Sequence, residues 1–393
     1  MNNENIIIIV LIIIIVFLII KKEKSNDYKK LSDMDMYHYK KKHKAYIVVK
    51  FFFKNLKNGY KFIINNIKYL IKNREKYNLS LLMYEKKLYN KNYVKKINLS
   101  DKKIFNEFIL HNYIAKNNKD MIYKTYKSLL FGAISIDLKN NSILMCWNHA
   151  IADGYRASIN FIQKLLFGIN NNIENTKLIN INYTSCCYSI CKLIYNYNLF
   201  YKFKKKNIKK DISNITFNFK LNVNFIKKKI KKKSNFNSTL QEIILNLLYP
   251  NLNKENFLCG VIFATNLKNS FNGLGIIPYF TDFKNKNNIS IEINKKIKNN
   301  YYLGVSSIIL NKKFYNLEIN FDIIFSGIKL TDRNNIYNDS EIIDFYTYMP
   351  YHKAPIYIFT FKIDDYIHVS IGVKNKKLKN FLKETYNWSY IDE

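Results

Sequence analysis

Two apolar runs, Leu129–Asp137 and Ser142–Trp147, flank the tetrapeptide Leu138-Lys-Asn-Asn141 and lead straight into His149-Ala-Ile-Ala-Asp153-Gly154. Strand-forming runs joined by turn-forming asparagines read as an antiparallel hairpin. Beyond Asp153 the period changes. Ile159, Phe161, Ile162, Leu165 and Leu166 fall at helical spacing, with Asp153 placed to cap the start and Gly168 to end the helix. A hairpin cannot bury its own faces, so strand, strand and helix in this order demand further sheet and helix around them. The chain is therefore α/β.

The same pattern reading extends along the chain. Ala45–Phe53, Leu79–Tyr84, Tyr93–Ile97, Phe257–Thr265, Phe321–Phe325, Ile356–Ile363 and Ile367–Val373 read as strands. Asn55–Asn73, Ser185–Tyr195 and Leu378–Trp388 read as helices, as does the stretch to Leu248 that Ser238-Thr-Leu-Gln241 opens as a capping box and Pro250 stops. Lys21–Lys40 and much of Asn170–Asn224 read as polar linker. No repeat of solenoid length is present.

Residues Ile6–Ile20 form an unbroken apolar run of 15, which as a helix reaches about 22 Å. With modest bilayer thinning that is enough for one membrane span. Glu4 precedes the run and Lys21, Lys22 and Lys24 follow it, so the positive-inside tendency puts the body of the chain on the cytosolic side. The five cysteines, at 146, 186, 187, 191 and 259, show no zinc spacing and no paired framework, and a reducing compartment suits them.

A formal charge of +35 raises the question of nucleic acid, but the lysines are spread over almost the whole length. Only Arg74, Arg156 and Arg333 are arginine, a bias expected of AT-rich coding sequence. A nucleic-acid footprint is a patch on one face, and no such face can be read here. Clusters such as Lys204–Lys206 and Lys227–Lys233 are nevertheless suited to anionic headgroups.

The chemistry-bearing residue is His149. Imidazole is the side chain whose ordinary pKa lies nearest neutrality, so at a rigid strand end it can take a proton from a hydroxyl or amine and return one to a leaving thiolate. Asp153 is placed to fix the loop and Gly154 to allow close backbone packing.

Ser142-Ile-Leu-Met-Cys-Trp-Asn-His149-Ala-Ile-Ala-Asp153-Gly154 resembles the HxxxDG signature of the chloramphenicol acetyltransferase superfamily, which includes condensation domains, wax ester synthases and alcohol acyltransferases. The order of later segments is similar too: the helix ending at Leu248, Val261-Ile-Phe-Ala-Thr-Asn-Leu-Lys268 followed by Gly273-Leu-Gly275, and Phe321-Asp-Ile-Ile-Phe-Ser-Gly327. About 240 residues follow the motif, as in the two-lobed monomeric branch.

The resemblance implies a two-lobed sandwich, a pseudo-dimer of similar α/β halves, to which the run Ile6–Ile20 adds an N-terminal transmembrane helix. Its parts would be an anchor at 1–24, a linker at 25–40, an N-terminal lobe at 41–170, a crossover at 171–215 and a C-terminal lobe at 216–393. It implies direct acyl transfer from a thioester, acyl-CoA above all, to an alcohol or amine acceptor; the membrane anchor and aromatic content point to a lipid alcohol or hydrophobic amine. No tightly bound cofactor, metal or specific nucleic acid is expected. His149 would be the general base, Asp153 and Gly154 structural, and Ser326 an oxyanion or acceptor-site group. Lys268 stands where the family commonly has an arginine paired to the aspartate, and lysine cannot make that bidentate contact. The Asp-Phe-Gly-Trp-Gly motif of the plant-type branch is absent. Two other readings stay open at this level: a catalytically silent binding module of the same fold, and a basic membrane-attached protein binding lipid or nucleic acid.

Overall fold

The computed structural model describes residues 27–40, 42–110, 114–152, 161–168, 215–252, 256–264, 274–282, 288–309, 321–329, 342–348 and 354–392. The strands in chain order are β1 (Tyr28–Lys30), β2 (Tyr46–Phe53), β3 (Tyr84–Tyr89), β4 (Tyr93–Lys96), β5 (Gly132–Asp137), β6 (Ser142–Asn148) and β7 (Ile215–Asn222). They continue with β8 (Asn256–Ala264), β9 (Leu274–Asp282), β10 (Ile323–Lys329), β11 (Ile342–Tyr348), β12 (Ile356–Ile363), β13 (Tyr366–Val373) and β14 (Ser389–Asp392). They form a small sheet β1-β4-β3, a four-stranded sheet β11-β2-β6-β5 and a seven-stranded sheet β14-β7-β13-β12-β10-β8-β9. In the large sheet β10 runs parallel to both β8 and β12, and the other pairings are antiparallel.

The expected hairpin is β5 and β6, paired from Gly132↔Trp147 to Asp137↔Ser142. Its turn does more than reverse the chain. Asn141 adopts φ of 47°, its carbonyl accepts Phe53 N–H at 2.8 Å, and its side chain accepts Leu56 N–H at 3.0 Å. One asparagine thereby joins the hairpin to β2 and to the first turn of the helix Leu56–Lys72.

Both faces of β2 and β6 are covered over most of their length, which is why their sequences, Lys50 apart, are largely apolar rather than alternating. Ile47, Val49, Phe51 and Phe53 enter the main core with Ile143, Met145 and Trp147. On the other face, Tyr46, Val48, Leu144 and Cys146 pack with Met121 and Ile122 of the helix Asn118–Lys127.

The large sheet divides its side chains strictly by parity. Phe257, Cys259, Ile323, Phe325, Ile356 and Ile358 pack under its helices, whereas Leu258, Ile324, Tyr357, Phe359 and Phe361 join the core that contains β2 and β6. The two sheets thus bury apolar faces against one shared core.

Residues 342–348, counted with the C-terminal lobe on sequence grounds, pair antiparallel with β2 as strand β11 of the four-stranded sheet, from Phe345↔Phe51 to Tyr348↔Val48. β11 also touches the large sheet through polar groups. Thr347 N–H donates to Ser370 Oγ at 3.1 Å, and that hydroxyl donates to Asn218 Oδ1 at 2.8 Å. His368 Nδ1 lies 3.4 Å from Asp344 Oδ1, and Lys220 Nζ donates to the Ile343 carbonyl.

Four expectations need correction. Residues 28–40 are not linker: β1 pairs with β4, Asp33–Lys40 is helical, and Leu31 and Asp35 are fully buried. Leu79–Tyr84 is not a strand; Ser80–Met83 is a helical turn that leads into β3. The helix ending at Leu248 starts at Phe236, and its capping box joins Asn235 and Ser238 rather than Ser238 and Gln241. Residues 215–222, placed in the low-information stretch, are strand β7, which lies between β14 and β13 in the large sheet. The helix read at Ser185–Tyr195 lies outside the described residues, and so does the apolar run Ile6–Ile20. Among the described residues no helix is long and apolar enough to cross a membrane.

Candidate active site

His149 is the first residue past β6 and is 8% exposed. Its backbone N–H donates to the Ala45 carbonyl at 2.8 Å, extending the β2–β6 ladder by one step beyond Tyr46↔Asn148. Asn148 N–H donates to the Phe131 carbonyl at 2.9 Å on the other side. The histidine therefore leaves from a strand end held by both neighbouring chains.

The three residues after it are held from beneath. Asn148 Oδ1 accepts Ala150 N–H at 2.8 Å, forming an Asx turn. Ser80 Oγ donates to the Ile151 carbonyl at 2.6 Å, and Trp147 Nε1 donates to the Ala152 carbonyl at 3.2 Å. Ala150, Ile151 and Ala152 are buried. Backbone polar groups in a buried loop need such partners, and these three contacts supply them.

The helix Gln163–Phe167 is tied to the same scaffold, because Asn66 Nδ2 donates to the Leu165 carbonyl at 3.0 Å. Gly168 closes that helix with φ of 94°, a conformation that favours glycine, as its sequence position predicted.

Other titratable groups at this strand end are locked neutral. Burial foremost pushes the Cys146 thiol up to about 12, against opposing influences of Thr125 and Lys86. Burial likewise raises the Tyr46 phenol well above its ordinary value. Neither can supply a thiolate or phenolate near neutral pH, so a cysteine nucleophile one turn of strand from His149 is excluded.

Ser326 lies on β10 with Ile324, whose side chain belongs to the shared core, and is partly exposed. Ile324 is opposite Tyr357 of β12 and Ser326 opposite Phe359, which puts the Tyr357 phenol near the Ser326 hydroxyl. Burial raises Tyr357 to about 12, with the Ser326 contact acting the other way. Gly327 next to it leaves room for Thr360, whose Oγ1 would lie 2.6 Å from an added Cβ. Asp153, Gly154, Lys268 and Gly273 lie outside the described residues.

The motif pointed to His149, but not to Ser80, Ala45 or Tyr357. Trp147 was legible only as an apolar strand residue. Ser80 carries no local signal, since it meets Ile151 across 71 positions of sequence. No candidate metal site of three or more His, Cys, Asp or Glu side chains occurs among the described residues.

No known sequence family matches the chain, and no curated protein resembles it in sequence. Solved structures do resemble it. A variant of the starter condensation domain of rhizomide synthetase, in complex with C8-CoA and Leu-SNAC, matches at TM-score 0.59 and 6% identity over 94% of this chain and 99% of its own. The epimerization domain from the third module of tyrocidine synthetase B matches at 0.57 and 10% identity, over 91% and 94%. TRI101 of F. graminearum, complexed with coenzyme A and T-2 mycotoxin, matches at 0.56 and 8% identity, over 92% and 99%. The chain has the two-lobed α/β fold shared by condensation domains and chloramphenicol acetyltransferase-like transferases.

Proposed function

We propose that this protein is an acyltransferase, moving an acyl group from a thioester donor, acyl-CoA in the first instance, to a hydroxyl or amine. The fold alone does not choose the chemistry, since it matches an epimerization domain as well as proteins holding coenzyme A ligands. The observation that carries the reading is the placement of His149 at the end of β6, its backbone clamped to Ala45 and its following loop clamped by Ser80 and Trp147. A general base gains its rate advantage from being held at the reacting proton, and this backbone socket provides that rigidity.

In this mechanism the His149 imidazole takes the proton of the acceptor as its oxygen or nitrogen attacks the thioester carbonyl. The tetrahedral oxyanion then collapses, and the departing thiolate recovers a proton from the imidazolium. Ser326, on the same face of β10 as Ile324 and near the Tyr357 phenol, would donate to the oxyanion or to the acceptor. Asp153 and Gly154 shape the loop, and Lys268 is the proposed partner of Asp153. No metal or resident cofactor takes part.

The two lobes of the proposed monomer are not clean halves of the chain, because residues 28–40 and β11 pair with strands of the first part and the second begins at β7. The run Ile6–Ile20 anchors the chain in a membrane with its body on the cytosolic side, which favours a lipid alcohol or hydrophobic amine as acceptor.

Free-thiol release from a panel of acyl-CoA donors, with pooled alcohol and amine acceptors, tests the reading on the full chain and its His149→Ala variant. Acceptor-dependent release that falls roughly 100-fold or more in a variant of unchanged circular dichroism is the expected result. Equal rates in both proteins remove His149 from the mechanism. No release from the folded chain across the panel favours a silent binding module.

A further inference from the structure

We propose that the helix Val223–Lys228 and the turn Lys229–Lys233 form a docking surface for an anionic lipid membrane, separate from the apolar run at the N-terminus. Val223 and Ile226 are buried in the helix-covered core of the large sheet and fix the segment to the fold. What faces outward is a mixture that a solvated lysine face does not need. Phe225 is 45% exposed and Ile230 40% exposed, among the exposed Lys227, Lys228, Lys229, Lys232 and Lys233. Apolar groups interleaved with lysines fit the boundary between headgroups and acyl chains, where each has a favourable partner.

The segment is held in shape before any partner arrives. Asn222 Oδ1 accepts the N–H groups of Asn224 and Phe225 at the helix start. Lys231 N–H donates to Ser234 Oγ at 2.9 Å, and Ser234 N–H donates back to the Lys231 carbonyl at 2.9 Å. Lys231 Nζ is spent on Glu242 at 2.9 Å, so the acidic side chain recorded against this segment is already matched. Exposed Asp365, whose carbonyl accepts Val223 N–H at 2.8 Å, adds one carboxylate at the helix start, but the exposed lysines outnumber it and leave the face basic, which makes its complement anionic.

Nucleic acid would share the charge preference but not the rest. Lys229 Nζ sits 5.0 Å from the Phe225 ring centroid and covers a face that a base would stack on, and an exposed isoleucine offers nothing to phosphate or base. A lipid surface uses both residues.

Hydrogen–deuterium exchange of the full chain in vesicles tests this. Vesicles of phosphatidylcholine alone are compared with vesicles also containing phosphatidylserine, so any N-terminal anchoring is common to both. Amides 223–233 should exchange at least about fivefold more slowly with phosphatidylserine, the factor one lysine contributes near such a surface, and the protection should fall as salt shortens the screening length. The exposed-site variants K227E/K228E/K232E and F225S/I230S should each lose it while exchange elsewhere is unchanged. Equal exchange in the two lipids, or protection surviving the charge reversals, overturns the proposal. Protection of the same amides by a single-stranded oligonucleotide but not by vesicles assigns the surface to nucleic acid and overturns it too.

Discussion

Two buried serines make the socket beneath His149 measurable. Ser80 is 8% exposed and its hydroxyl donates to the carbonyl of Ile151, a residue with no exposed surface. Ser290 is fully buried, and among the described residues its hydroxyl has no hydrogen-bond partner. The same substitution should therefore act differently at the two sites. Ser80→Ala strands a carbonyl that no water reaches, which costs about 1–3 kcal/mol. Ser290→Ala removes a hydroxyl that gains nothing in the folded state, and should be neutral or slightly stabilising. With a urea slope of about 3 kcal/mol per molar, Ser80→Ala lowers the unfolding midpoint by roughly 0.3–1 M, and Ser290→Ala leaves it in place. Ser80→Ala should also reduce acyl-transfer turnover more than it raises KM, because the loop it loosens begins at His149. Equal destabilisation by the two variants would refute the claim that the Ser80 hydroxyl supports this loop.

Other perturbations have defined directions. Burial acts to raise the Asp344 carboxyl, but hydrogen bonds from His368 and Phe345 N–H, together with the Lys220 charge, hold it below the usual carboxylate range. Its contribution is complete above the unfolded value near pH 4 and is lost as pH falls through the lower folded value. Asp344→Asn should thus flatten the stability profile of the chain below about pH 4, as read by thermal melts across pH. At Gly260 an added Cβ would lie 2.8 Å from Ile276 Cγ2 and 2.9 Å from the Phe321 ring, so Gly260→Ala should cost about 1–3 kcal/mol in a denaturant titration. Cys146 and Cys259, both buried with their thiols raised by that burial, should resist iodoacetamide at pH 8 in the native chain and react once it is unfolded, as mass spectrometry would read.

What the sequence by itself determined is what local chemistry encodes. Turn asparagines between two apolar runs specified the hairpin of β5 and β6, and helical spacing specified Leu56–Lys72 within a residue of its ends. Strand positions such as Ile356–Ile363 were legible for the same reason, and Gly168 could be read as a helix terminator because few other residues adopt its backbone. His149 could be placed at a strand end from these signals.

Tertiary structure decided everything that depends on a distant partner. Leu79–Tyr84 has no period long enough to separate helix from strand, and its helical turn places Ser80 under Ile151. Tyr28–Lys30 looks like polar linker until β4 supplies hydrogen bonds and Leu31 finds a buried site. The polar contacts of Asp344 with His368 and of Thr347 N–H with Ser370 have no apolar signature, because they run between strands distant in sequence. Most of all, β11 leaves its sequence neighbours and pairs with β2, bringing Tyr348 opposite Val48. Backbone hydrogen bonding is blind to sequence separation. A strand's sequence states that it needs a partner, and only the packed core decides which one it gets.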